Sequence, residues 1–85
     1  MAKWVKASGE IVEVQPKNGT DYSLEELQGF VGGYIEIIGL VRNRLMVVNE
    51  DGELDGGLPL NTGASLMAGQ WIVGNVLVCN PNEIK

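Results

Sequence analysis

Apolar positions along this chain recur with two periods, and the change from one to the other marks its elements. Leu24, Leu27 and Val31 fall at i, i+3 and i+7, one face of a helix running from about Leu24 to Val31. Ser23 with Glu26 three residues on forms a capping box at its start, and Tyr22 with Leu27 forms a hydrophobic staple. Gly32-Gly33 ends the helix through a left-handed position. From Tyr34 to Val41 the period drops to two: Ile35, Ile37 and Val41 lie on one side of a strand, Tyr34, Glu36, Ile38 and Leu40 on the other. Arg42-Asn43-Arg44 turns this strand into Leu45-Met46-Val47-Val48, which makes an antiparallel hairpin.

The flanks read as strands too. Lys3–Ala7 and Ile11–Val14 turn at Ser8-Gly9, and the cluster from Pro16 to Asp21 closes that ribbon. Asp51-Gly52 suits a two-residue turn with positive φ at both positions, followed by a short strand near Glu53-Leu54. Asn61 or Thr62 caps one helical turn near 62–68, stopped by Gly69. Trp71 to Cys79 reads as a last strand buried on both faces, with Gly74-Asn75 marking a bulge or close backbone approach. Beyond Asn80-Pro81 the chain is expected to fray. The sum is one α+β domain over residues 1–85: about five mostly antiparallel strands, with the 23–31 helix packed on one face. The other face then requires loops or a partner to cover it.

Composition narrows the chemistry. Eighty-five residues support only a small core, for which oligomerisation is a common remedy. Eleven acidic against six basic residues give a net charge of −5, which argues against binding a nucleic-acid polymer. No apolar run reaches the ~20 residues that cross a bilayer, and no leader is evident, so a cytosolic protein without a membrane partner is expected. Histidine is absent, which removes the commonest general base and zinc ligand.

Four groups of residues merit weighing as sites. Four carboxylates stand within Glu50–Asp55, but without the alternation, glycine and twelfth-position Glu of a calcium loop; they read as a solvated hairpin tip. Cys79 lies in an apolar run with no base to ionise it, and reads as a buried structural thiol. The glycines at 29, 32 and 33 follow a helix, whereas a phosphate loop precedes one. Asn49, Asn61 and Asn75 sit among apolar neighbours, with Tyr34, Glu36 and Trp71 on nearby strands. Buried amides must be hydrogen-bonded, either by backbone, with Asn61 as a helix cap and Asn75 at the bulge, or by a ligand in a small aromatic-walled pocket. Arg42 and Arg44 are the only arginines, and the one evident anion clamp. These eight residues form the candidate ligand set; no cofactor and no metal are implied. Catalysis would fall to Glu36 alone, if buried, so a non-enzymatic role is expected.

The ordered motifs Ser23-Leu24-Glu25-Glu26-Leu27-Gln28, Val31-Gly32-Gly33-Tyr34-Ile35-Glu36, Val47-Val48-Asn49-Glu50-Asp51-Gly52, Leu58-Pro59-Leu60-Asn61, Ala64-Ser65 and Ile72-Val73-Gly74-Asn75-Val76 resemble a family of small uncharacterised domains. That family occurs in phages, plasmids and other mobile elements of bacteria, and the likeness spans roughly Tyr22 to Val78. It implies a setting, that of a small accessory protein of a phage or mobile element, in which a binder that counters host defence is expected. Two routes stay open: sequestering a small signalling nucleotide, or blocking a host defence protein directly, in either case as a homo-oligomer.

Overall fold

The computed structural model describes residues 2–52 and 57–84. Five strands form one antiparallel sheet: β1 (Ala2–Val5), β2 (Ile11–Val14), β3 (Ile35–Leu40), β4 (Arg44–Asn49) and β5 (Val76–Cys79), in the order β2-β1-β5-β4-β3. Two helices accompany them, α1 (Leu24–Val31) and α2 (Thr62–Ala68). The α+β class and the five antiparallel strands follow the sequence expectation. The last strand in the chain is the central one, which is why all four of its residues are buried.

Alternation along the strands feeds two apolar clusters. One unites Leu27 and Val31 of α1 with Ala2, Tyr22, Val47, Leu77 and Cys79. The other takes the intervening residues Val5, Met46, Val48, Val76 and Val78 together with Ala64 of α2 and Ile72. Local signals decide the helix ends. The Ser23 hydroxyl accepts from the Glu26 N–H at 3.2 Å, and Glu26 Oε1 accepts from the Ser23 N–H at 3.0 Å. Gly32 ends α1 at φ 80°, where its N–H donates to the Gln28 carbonyl. Trp4 Nε1 then donates to the Phe30 carbonyl at 3.1 Å, tying the end of α1 to β1.

Asn61 joins the most elements. Its Oδ1 accepts from the Ala64 N–H at 3.0 Å and so caps α2, while Nδ2 donates to the carbonyls of Val5 and Gly74 at 3.0 and 2.9 Å. Its backbone N–H donates to the Ile72 carbonyl. Three separate stretches of chain thus meet on one buried amide.

Several expectations need correction. The last strand begins at Val76, not Trp71: Gly74 adopts φ 78°, outside the β region, and the preceding residues pair instead with the 59–61 segment through Leu60 and Val73. A side chain at position 74 would also press on Leu58 at 3.2 Å. Trp71 is therefore 70% exposed rather than buried. Asp51-Gly52 does not form the positive-φ hairpin turn. The Gly52 N–H closes a turn onto the Asn49 carbonyl, and glycine is needed because a Cβ there would lie 2.9 Å from that carbonyl. The strand expected near Glu53-Leu54 lies outside the described residues. The C-terminal segment does not fray: Pro81–Glu83 form a 3-10 turn, the Tyr22 N–H donates to the Glu83 carbonyl at 2.7 Å, and Ile84 packs on the α1 cluster.

Asn61→Ala removes a cap and strands two buried carbonyls, so it is expected to cost about 2–4 kcal/mol in urea unfolding. Asn61→Asp keeps the capping oxygen but faces both carbonyls with negative charge, and should be at least as destabilising.

Candidate functional site

Asn61 caps α2 and Asn75 lies just ahead of β5, while the candidate residues on the β3–β4 hairpin divide between its two ends. At its open end, Tyr34 and Asn49 line a depression of about 440 Å³ with Gln28, Asp51 and Leu58. Asn49 also borders a smaller one of about 110 Å³, where Glu36 and Trp71 meet beside Gln70 and Ile38. Tyr34, Glu36, Asn49 and Trp71 are thus brought near one another. Arg42 and Arg44 are not: Arg44 pairs with Leu40, six strand residues on from Tyr34 and so roughly 20 Å away, and Arg42 lies in the turn beyond it. No lysine or arginine lines either depression, and each contains a carboxylate, Asp51 in one and Glu36 in the other.

Each asparagine is engaged within the chain. Asn49 Nδ2 donates to the Val31 carbonyl at 3.1 Å, and its Oδ1 accepts from the Asp51 N–H at 2.8 Å. That contact fixes the α1-to-β3 junction: a Cβ at Gly33 would sit 3.0 Å from Asn49 Nδ2. Asn75 Oδ1 accepts from the Ala7 N–H at 3.0 Å. The three amides therefore hold backbone. Arg42 and Asn43 form the hairpin turn at φ 62° and 57°, exposing Arg42, while Arg44 is half-buried with its Nε closed off from solvent. Glu36 stands exposed on an edge strand, without the burial that acid–base work would require.

Two further reactive side chains, Cys79 and Tyr22, are buried. Cys79 is buried in the central strand, where burial and then the nearby Glu83 carboxylate push its thiol up to about 11. The fully buried Tyr22 hydroxyl is raised to about 12, first by burial and then by Glu83, and has no hydrogen-bond partner among the described residues. No group of three or more metal-ligating side chains gathers among the described residues. Part of the acidic run, residues 53–55, lies outside them. No helix among the described residues is long and apolar enough to cross a membrane.

What sequence reasoning missed is apolar. Leu60, Leu66 and Trp71 wall a groove of about 520 Å³ beside Thr62, Ser65 and Gln70, with Met67 also exposed on α2. Leu66 is 80% exposed. A signal for it exists in the sequence, since residues 57–82 contain no charged side chain in a chain that is 20% charged overall. Such a stretch reads as core, and part of it is core; α2 nevertheless turns Leu66 and Met67 outward because only Ala64 and Ala68 face the sheet.

A family model described as a domain of unknown function, DUF3846, matches residues 5–85. No curated protein and no solved structure matches the chain.

The raised Tyr22 and Cys79 values carry a sign. The folded state holds both protons more tightly than the unfolded one, so stability is intact below the ordinary thiol value of 9.0. It is lost as pH rises towards about 12. Tyr22→Phe should flatten that alkaline loss in pH-dependent urea titrations. At neutral pH it should leave stability unchanged or raise it by up to about 1 kcal/mol, because a buried hydroxyl without a partner is removed.

Proposed function

Because the chain belongs to the DUF3846 family of domains of unknown function, we propose a role from its surface: a non-catalytic module that binds another protein through the apolar groove beside α2. The observation that carries this reading is the exposure of Trp71, Leu66, Met67 and Leu60 together on a surface without charge. Contiguous exposed apolar groups mark interaction sites, and a tryptophan flanked by aliphatic side chains is the usual anchor of a binding hot spot. The fitting partner presents an apolar surface able to receive Trp71. The acidic side chains elsewhere on the domain would steer it towards a basic rim.

In the mobile-element setting that the resemblance implies, that partner is a host defence protein blocked by direct contact, in the bacterial cytosol. Sequestering a nucleotide is less well supported. Its phosphates would need cations near Tyr34 or Trp71, and the two arginines stand at the far end of the hairpin.

Two measurements separate these readings. A host protein captured by the wild-type domain should lose affinity by about 2 kcal/mol or more, some thirtyfold, with Trp71→Ala or Leu66→Asp. The double change Arg42→Ala/Arg44→Ala should leave it bound. Cyclic di- and trinucleotides should leave the melting midpoint unmoved; a clear rise that Arg42→Ala/Arg44→Ala abolishes would replace this reading with sequestration.

A further inference from the structure

The sheet ends in two unequal edges. β2 is short, carries Glu13 at its third position and runs on to Pro16, features that blunt an edge against pairing. β3 is six residues long, carries one charge, and no described strand pairs with its outer side. Its backbone polarity follows from its register. The Glu50 N–H donates to the Tyr34 carbonyl, so 34/50 is a hydrogen-bonded pair and so, by alternation, are 36/48, 38/46 and 40/44. Ile35, Ile37 and Gly39 occupy the non-hydrogen-bonded positions opposite Asn49, Val47 and Leu45, and point their N–H and C=O groups outward.

We propose that this edge pairs with the same edge of a second copy, antiparallel about a two-fold axis at Ile37, to give a continuous ten-stranded sheet. The pairing groups are the outward backbone N–H and C=O of β3, whereas the groove beside α2 is walled by the side chains of Leu60, Leu66 and Trp71. Register selects the axis. Centred on Glu36, pairing would set two carboxylates directly opposite each other, which is destabilising. Centred on Ile38, it would leave the outward groups of Ile35 opposite Val41, which belongs to the turn. Centred on Ile37, all three outward residues find partners: Ile37 meets Ile37, and Ile35 meets Gly39 in both directions, making about six N–H···O=C bonds.

Side chains agree with that register. Ile37 is 44% exposed in the single chain and would be covered by its own symmetry mate. Gly39 has open space where a Cβ would stand, which leaves room for the opposing Ile35. Glu36 faces Ile38 of the second copy, and the two Glu36 side chains lie diagonally, about 7–8 Å apart. An edge of this length buries less than the ~800 Å² per partner of a standard interface, so the dimer is reversible and concentration-dependent.

Sedimentation equilibrium across a concentration series tests it, with circular dichroism to check each variant's fold. The wild type should shift from monomer to dimer. Ile37→Lys should raise the half-dissociation concentration about tenfold or more, whereas Glu36→Gln, which removes the diagonal repulsion, should lower it. Cysteine trapping supplies a readout of register. Across the axis the Cα atoms of residue 37 lie about 5.5 Å apart, within disulfide reach, so Ile37→Cys should cross-link on oxidation and Ile38→Cys should not. A wild type that stays monomeric throughout overturns the proposal. So does a dimer insensitive to Ile37→Lys, or one trapped at position 38 instead of 37.

Discussion

Asn61 is the constraint on which the arrangement around the central strand rests. A buried primary amide has two donors and an acceptor to satisfy, and here the Val5 and Gly74 carbonyls and the Ala64 N–H take them. Those three contacts hold the end of β1, the approach to β5 and the start of α2 at one point. A hydrophobic side chain of similar volume could fill the space, but it would leave all three backbone groups unpaired in an apolar interior. Ser65 extends the knot, its hydroxyl donating to the Asn61 carbonyl at 2.7 Å and accepting from the Ile72 N–H at 2.8 Å. Two side chains thus satisfy the backbone of an uncharged segment that has little regular structure of its own.

The central strand follows from that knot. β5 arrives last in the chain and must enter between β1 and β4, so its approach has to be aimed by contacts made outside the sheet. Gly74 turns the backbone there, and the Asn61 amide grips its carbonyl. The C-terminal turn then closes the other end, where the Glu83 carbonyl meets the N–H of Tyr22 just ahead of α1. Both ends of a four-residue strand are thereby anchored. Its own side chains are free to be wholly apolar, and Cys79 among them serves as a small hydrophobe.

Charge is placed unevenly along the chain. All eleven acidic residues, Glu36 on β3 and Glu83 in the C-terminal turn among them, fall outside residues 57–82. That segment supplies core on one side through Ala64 and Ile72 and exposed surface on the other through Leu66 and Trp71. A domain this small has few ways to hold an apolar surface open without collapsing on it. Building it on a helix whose inward residues are alanines is one, because the helix lies close to the sheet and its larger side chains have nowhere inside to go.

Much of the architecture was legible from short-range signals. The Ser23–Glu26 box and Gly32 stop involve neighbours a few residues apart, and so do the β3–β4 hairpin and the Asn61 cap; local backbone chemistry settles each of them. The same sequence could not say where Trp71 points, because that depends on Gly74 leaving the β region to let Leu60 bridge Val73. Nor could it say that Arg42 and Tyr34 stand at opposite ends of one hairpin in a site that had grouped them, since residue type carries no distance. Asn49, Asn61 and Asn75 show the limit most plainly. Their apolar neighbours could be read from the sequence, yet whether an amide holds backbone or awaits a ligand is decided by partners as far as 68 residues away, which only the folded chain brings to 3.0–3.1 Å.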